Sequence, residues 1–507
     1  MNDARGRPAG FTCDPLIFFS VIGLVSIILL VTLADINLAR AGLLGLQDLI
    51  VGNFSWLFSL TVTFLLGFSI WLGFSRYRFM KLGPDNSKPD FSLVSWLAML
   101  FSAGMGIGLV FYGVAEPILH FTNPPQSDPG TAQAAREAMR LSVFHWGLHA
   151  WGIYVVLGLA LAYFHFRHGE PLAIRSTLAP LIGKQTHRLP GKLIDMLAVL
   201  GTLFGLATSL GLGAAQINAG LFRLFDVSMA VQTQVIIIVC ITFCATMSLV
   251  LGLNNGIRRL SVFNMILAGI LLMFVLIAGP TSALIRGIPD HLGNYLQGII
   301  GMSLRTAPFS SLEWQKSWTI FYWAWWISWA PFVGTFIARI SRGRTVGEFV
   351  LGALVVPTLM SLVWFGIFGG AALRIELFEG GGIVAAVQQD PAIAIYQLLD
   401  HYPLQVLSSI TAIILVSIFF ITSSDSGSFV VDMLTSGGNP DPPVWQRIFW
   451  ASMEGLIAII LLVIGGLGAL QAGAVSMGLP FCLVLVAVVI SLLKKMRQDN
   501  AAPSLPG

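Results

Sequence analysis

The sequence predicts an all-α polytopic membrane protein with twelve transmembrane helices. Composition is the first reason: of 507 residues, 56% are hydrophobic and only 10% are charged, whereas soluble chains carry about a quarter charged residues. The second is spacing. Apolar runs of roughly 20 residues recur from end to end, each long enough to cross ~30 Å of hydrocarbon. The third is charge placement, since the basic residues gather in alternate loops.

Taken in order, a tail at 1–14 precedes spans at 15–34 and 53–75, a peripheral pair occupying 15–91. Arg5 and Arg7 ahead of the first run resemble a signal peptide, but the run is long and eleven more follow, so it reads as an uncleaved helix. Spans at 92–121, 139–166, 192–222, 231–252 and 259–280 form a first five-helix unit, 92–280. A connector, 281–312, follows. There Leu292, Tyr295, Leu296, Ile299 and Ile300 repeat at helical spacing, which predicts an amphipathic helix on the outer surface, for membrane packing or a subunit contact. Spans at 314–338, 347–373, 404–431, 446–465 and 471–493 make a second unit, 313–493, before a tail at 494–507.

With the N-terminus inside, the cytoplasmic loops hold 20 of the 28 basic residues, so both termini are expected to be cytoplasmic. The net charge of +4 reflects this asymmetry and gives no hint of nucleic-acid binding. Cys13, Cys240, Cys244 and Cys482 sit in or beside apolar spans, fit buried, reduced packing residues, and show no disulfide or zinc spacing.

Span three is interrupted by Gly104, Gly106 and Gly108, and span eight by Pro331 and Gly334. Five spans separate the two, so each opens a five-helix unit, and an odd-length repeat enters the membrane from opposite sides. Interrupted segments at matching positions of two halves mark the central site of a transporter, where freed carbonyls can coordinate a cation. Gly104-x-x-x-Gly108 and Gly201-x-x-x-Gly205 are also ordinary helix-packing patterns. The hydroxyls expected to meet the first lie in ITSSDSGS, where Thr422, Ser423, Ser424, Asp425 and Ser426 interrupt span ten. These either serve a cation or satisfy one another across helices.

Span eight carries the densest signal. WTIFYWAWWISWAPF, Trp318 to Phe332, places five of the 14 tryptophans within 12 residues. Trp318, Tyr322, Trp325, Trp326 and Trp329 fall along one helix face. Such a wall can hold a quaternary ammonium by cation–π attraction, at ~0.5–2 kcal/mol per dry contact. An interfacial belt needs one or two rings at a helix end; five down one face exceed it.

Other patterns fail. His145 and His149 stand one turn apart but lack the glutamate of the zinc-protease motif, and read as aromatic packing and hydrogen bonding. Ser426-Gly427 is no nucleophile elbow, and no phosphate loop is present. Glu116 before Pro117 is an ionisable residue in an apolar span, either functional or capping a helix break. No nucleophile–base pair or metal set is assembled, so the chain is read as no enzyme. A channel would show repeated pore rings.

Together, GMGIGLVFYGVAEP, HWGLHAWGIY and FYWAWWISWAPFVGTFIARISRGRTVGEF closely resemble the betaine/carnitine/choline transporter family, over essentially the whole chain outside the tails. The resemblance implies a LeuT-like fold in which spans 3–7 and 8–12 are a 5+5 inverted repeat behind two extra N-terminal helices, usually as a homotrimer in the bacterial inner membrane. Carried onto this chain, it implies an ammonium box of Trp146, Trp151, Tyr154 and Trp326. Phe321, Trp325 and Trp329 would line the path, and the unwound backbone of Met105, Gly106 and Gly108 would approach the substrate. Independently of the family, the span-four rings lie within about 140° of one helix face and can close on the span-eight wall.

Members resembling choline carriers tend to have Asp where this chain has Gly108. A neutral residue there suits a zwitterion that brings its own carboxylate. One sodium site of the family maps onto the Thr422 and Ser423 side chains with carbonyls near Ser102, Met105 and Phe419. A second maps onto Thr202 and Phe332, but Leu206 stands where a second Thr is expected. Two sodium ions would gain ~4.6 kcal/mol from a 100 mV potential; one gains half, roughly fifty-fold less accumulation. Osmosensing members carry a long charged C-terminal helix, whereas 14 residues follow the last span here, so no osmotic activation is implied.

The expected function is sodium-coupled import of a glycine-betaine-like osmoprotectant by alternating access. Na+ is the coupling ion, with no organic cofactor. The partners are a trimethylammonium or dimethylsulfonium-type substrate and membrane lipid. The alternatives are a sodium-independent carnitine/betaine exchanger, whose members lose the hydroxyls retained here, and proton-coupled choline uptake, which Gly108 disfavours.

Overall fold

A computed structural model describes residues 12–104, 106–250, 254–308, 312–439 and 441–501. Arg5, Arg7 and Met105 lie outside the described residues. The chain enters through α1 (Pro15–Ala34) and α2 (Ile36–Phe74). The Asp14 side chain caps α1 by accepting from the Leu16 N–H. Asp35 does the same for α2, accepting from Asn37 and Leu38. This cap starts the second helix 17 residues before its expected apolar run, because a helix needs a cap and not continuous hydrophobicity to begin.

Next come α3 (Leu93–Gly104) and α4 (Ile107–Thr122), then α5 (Ala132–Trp146) and α6 (Leu148–Ala162). The single turn α7 (Ala179–Ile182) leads into α8 (Leu189–Phe225), α9 (Val231–Val250) and α10 (Asn254–Ala278). The connector contains α11 (Thr281–Ser303), followed by α12 (Glu313–Gln315) and α13 (Phe321–Arg339). The rest is α14 (Val346–Phe378), two short helices, α15 (Ile383–Gln389) and α16 (Ala394–Leu399), then α17 (Gln405–Thr435) and α18 (Val444–Ala501).

Among the described residues nine helical stretches are long and apolar enough to cross a membrane. Three places account for the difference from twelve. The expected span 92–121 is two short helices, α3 and α4, with Gly106 extended between them (φ −166°, ψ −179°). The expected span 314–338 is divided by a π-helical turn, Lys316–Ile320, ahead of α13. The last two expected spans share α18, which departs from helical geometry only at Gly465 and Gly466, the latter left-handed at φ 58°.

Pro331 and Gly334 do not break α13, which stays helical to Arg339. Gly334 instead lets α13 cross α6 closely. A Cβ there would lie 3.3 Å from the Gly158 nitrogen, and one at Gly158 would lie 3.1 Å from the Gly334 carbonyl. Gly205 serves α8 similarly, since a Cβ there would come within 2.5 Å of Trp329. Small residues at such crossings let backbones approach.

Burial orders the layers. In the stretch 132–167, 94% of the best apolar window is buried, against 28% for α1, 17% for α9 and 22% for the span in α10. The interior is therefore built around α5, α6 and α13, with the other three at the periphery. Cys240 and Cys244, expected to be buried, are exposed on the outer face of α9, while Cys13 and Cys482 are buried. Along α11, Tyr295 points inward and is fully buried, whereas Leu296 and Ile300 are exposed.

Candidate functional site

The site begins with a turn. Trp146 ends α5 because Gly147 leaves helical geometry (φ −99°, ψ −139°) before α6 starts. A Cβ at Gly147 would lie 2.5 Å from the Val143 carbonyl, so a larger residue would force this turn apart. The Tyr295 hydroxyl accepts the Leu148 N–H at 3.2 Å, which ties the connector helix to the break.

The turn sets Trp146 beside Trp151 and Tyr154 of α6, and these three rings share a cavity with Trp325, Trp326 and Trp329 of α13. Gly106 and Gly108 complete one wall. About 40 Å³ of the cavity is open to the centre of a water-sized sphere, room for about three waters at ~10–15 Å³ each. Phe321 does not line it. That ring is fully buried behind Trp325 and stacks on it at 5.4 Å. Ser209, Val333 and Ser361 also line the cavity. These sequence reasoning missed, because α8, α13 and α14 each carry many such residues and only the crossing angles choose among them.

The three central indoles are fixed by their N–H groups. Trp146 Nε1 donates to Glu116 Oε2 at 2.8 Å, Trp326 Nε1 to the His145 carbonyl at 2.9 Å, and Trp325 Nε1 to the Gly205 carbonyl at 3.2 Å. Trp325 and Trp326 stack at 4.6 Å with planes 15° apart, and Trp146 meets Trp326 edge-on at 4.8 Å. Two buried polar atoms of lining residues have no hydrogen-bond partner among the described residues: Trp329 Nε1 and Tyr154 Oη.

Gly108 is held by space as well as charge. A Cβ there would come 2.7 Å from Trp325 and 2.8 Å from Trp146, touching both ring tips. Gly108→Asp is therefore expected to part the rings and lower uptake at least about tenfold, within the ~1–3 kcal/mol typical of overpacking; a concentration series of substrate uptake reads the change.

Glu116 does not cap the break at Gly106. It is fully buried, and besides Trp146 it meets Tyr322 Oη at 2.5 Å, His145 Nδ1 at 2.7 Å and His120 Nε2 at 3.2 Å. The candidate ligand atoms of Glu116, His120 and His145 lie within 4.8 Å of one another. Both carboxylate oxygens are already engaged by these groups, so the cluster is a hydrogen-bond hub. His149, expected to pack and to hydrogen-bond, bonds Ser303 Oγ at 2.8 Å and stacks on Trp323.

Residues 16–501 match the family described as BCCT, betaine/carnitine/choline family transporter. The chain belongs to this family. It is a multi-pass membrane transporter and not an enzyme. The glycine betaine transporter OpuD of Bacillus subtilis (strain 168) is 46% identical over 457 residues, covering 90% of this chain and 89% of that one. Glycine betaine transporter 1 of Vibrio parahaemolyticus is 44% identical over 501 residues, 97% of this chain and 95% of its own. The high-affinity choline transport protein of Escherichia coli (strain K12) is 40% identical over 492 residues, 96% of this chain and 72% of its own.

In this transporter the described residues among the expected sodium ligands are spread over four helices, α3, α8, α13 and α17. Ser102 is half-buried near the end of α3. On α17, Thr422 and Ser423 are half-buried and Phe419 is buried. The Thr422 hydroxyl donates to the Ile418 carbonyl at 2.9 Å and the Phe419 carbonyl at 3.2 Å, which leaves its oxygen lone pairs free to accept. Thr202 donates to the Ala198 carbonyl at 2.8 Å, and Phe332 packs edge-on against Trp329 at 5.5 Å. Leu206 is fully buried against Gly427, where a Cβ would lie 2.3 Å from its Cδ1. The sequence reading also missed Glu454, fully buried in α18 and bonded by Ser424 Oγ at 3.3 Å.

Proposed function

We propose that this chain imports glycine betaine, or a related trimethylammonium or dimethylsulfonium zwitterion, together with sodium across a bacterial inner membrane. The observation that carries the reading is a cavity of mixed character. Trp146, Trp325 and Trp326 have their N–H groups turned into the protein, so they present ring carbon and not donors to the cavity, the surface a cation needs once the rings part. Trp329 Nε1 and Tyr154 Oη remain unpaired and suit a carboxylate. An ammonium ion with no carboxylate would leave those two donors unsatisfied, at ~1–3 kcal/mol each. Gly108 adds no charge to offset a net cation. The glycine betaine transporters among the relatives support the same substrate class.

The free volume is enough for a few waters only, so the rings must part for a trimethylammonium group to enter. Alternating access supplies that motion, with twelve crossings, a 5+5 inverted repeat and both termini cytoplasmic. The assembly is a homotrimer. Sodium would be held by Thr422 and Ser423 with carbonyls near Ser102, Met105 and Phe419. Leu206 offers no oxygen beside Thr202, so one sodium per substrate is the stoichiometry this reading favours.

Trp329→Phe tests the substrate class, because it keeps a ring and removes one donor. The half-saturating concentration for betaine should rise about tenfold, since a hydrogen bond to a charged group is worth ~1.5–3 kcal/mol. Inhibition of uptake by choline should change much less. Equal changes for both ligands would exclude a carboxylate at Trp329.

A further inference from the structure

We propose that Glu116 is a positioning residue that sets how tightly the transporter holds the cationic headgroup, by anchoring the two rings on which the aromatic cavity is built. The proposal rests on the cavity being a quaternary-ammonium site.

Trp146 lines the cavity, and its indole N–H is a donor only. Its hydrogen-bond acceptor is Glu116 Oε2, at 2.8 Å. The same oxygen meets Tyr322 Oη at 2.5 Å. Tyr322 stacks against Trp326 at 5.7 Å and Trp325 at 6.2 Å, with planes 25° apart in both pairs. One carboxylate oxygen on α4 thus joins the ring at the end of α5 to the stack on α13.

The other oxygen is braced from behind. His145 Nδ1 lies 2.7 Å from Oε1 and His120 Nε2 3.2 Å from it. His145 Nε2 faces Thr319 Oγ1 at 3.1 Å, so a threonine hydroxyl donating there leaves the imidazole N–H aimed at Glu116. Two histidines hold the carboxylate on one side, and the carboxylate holds two rings on the other. Every member except Trp146 is shut away from the cavity lining, so Glu116 acts on the substrate only through the rings.

Substitutions separate this role from general stability. Glu116→Gln keeps one oxygen for Trp146 and Tyr322, and its NH₂ can face the histidines once they exchange tautomers. Glu116→Asp withdraws the acceptor by one methylene. Glu116→Leu removes it. Purified transporter in proteoliposomes would be assayed for betaine uptake and for inhibition by tetramethylammonium, which has a cationic head and no carboxylate.

Glu116→Asp should raise the KM for betaine and the half-inhibiting concentration of tetramethylammonium in parallel, by at least about fivefold. Glu116→Leu should do so by about twentyfold, equivalent to ~1.8 kcal/mol. Glu116→Gln should stay within about twofold of the parent, and maximal rate per folded transporter should change far less than KM. A loss confined to maximal rate, or an aspartate variant with parental affinities, overturns the proposal. If the leucine variant fails to fold, the aspartate–glutamine pair decides.

A second readout needs no transport. The emission of Trp146, taken as the difference between the parent and Trp146→Phe, should shift in Glu116→Asp and not in Glu116→Gln. Absence of that shift counts against the anchor. A parent protein that ignores both betaine and tetramethylammonium counts instead against the cavity's assigned substrate.

Discussion

Trp326→Ala is expected to lower betaine uptake about a hundredfold at low substrate concentration, with the transporter still folded by gel filtration in detergent. Trp326 is where the cavity's contacts converge. It stacks on Trp325 at 4.6 Å, takes the edge of Trp146 at 4.8 Å and stands 6.5 Å from Tyr154. Truncation therefore removes a dry cation–π contact of ~0.5–2 kcal/mol and frees its neighbours to collapse inward. Central aromatic anchors commonly cost ~2 kcal/mol or more when cut back, and ~2.7 kcal/mol is a hundredfold. Trp326→Phe keeps a ring face and should recover much of the loss. An alanine variant that transports normally would show that the ammonium sits elsewhere.

Replacing Thr422 and Ser423 together by Ala is expected to abolish the dependence of uptake on a sodium gradient. The Thr422 hydroxyl proton is spent on the Ile418 and Phe419 carbonyls, so what the substitution removes is the oxygen left to face an ion. α17 runs unbroken from Gln405 to Thr435, and Ala is a good helix former, so the helix should persist. A coupled monovalent ion gains ~2.3 kcal/mol per 100 mV, worth about fifty-fold in accumulation. The double variant should therefore equilibrate betaine and not concentrate it. Concentrative, sodium-driven uptake by the double variant would remove these hydroxyls from the coupling step.

The aromatic wall was legible because helical periodicity survives folding. The face read as Trp318, Tyr322, Trp325, Trp326 and Trp329 runs along α13 and the turn before it, and three of its rings line one cavity. Trp151 and Tyr154 share α6 for the same reason, whereas Trp146 joins them through the break at Gly147, which a single continuous span did not foresee. Phe321, expected along the path, shares a face of α13 with Trp325 one turn on, and it stacks behind that ring instead of reaching the cavity. Pro331 and Gly334 suggested a break in the wrong place, since a glycine serves a close helix crossing as readily as a kink. The role of Glu116 was hidden for a different reason. Its partners lie 4, 29, 30 and 206 residues away in sequence, and only tertiary packing brings them to one carboxylate. At Gly108, the sequence pointed to missing charge, and the structure adds that Trp146 and Trp325 leave no room for a side chain.

The most direct test is uptake of labelled glycine betaine by proteoliposomes holding the purified protein, with an inward sodium gradient and with sodium equal on both sides. Concentrative uptake under the gradient, absent at equal sodium without a membrane potential and blocked by excess unlabelled betaine, is the predicted result. Equal uptake in both conditions would contradict sodium-coupled import, and no saturable betaine uptake in either would contradict the substrate read from the cavity.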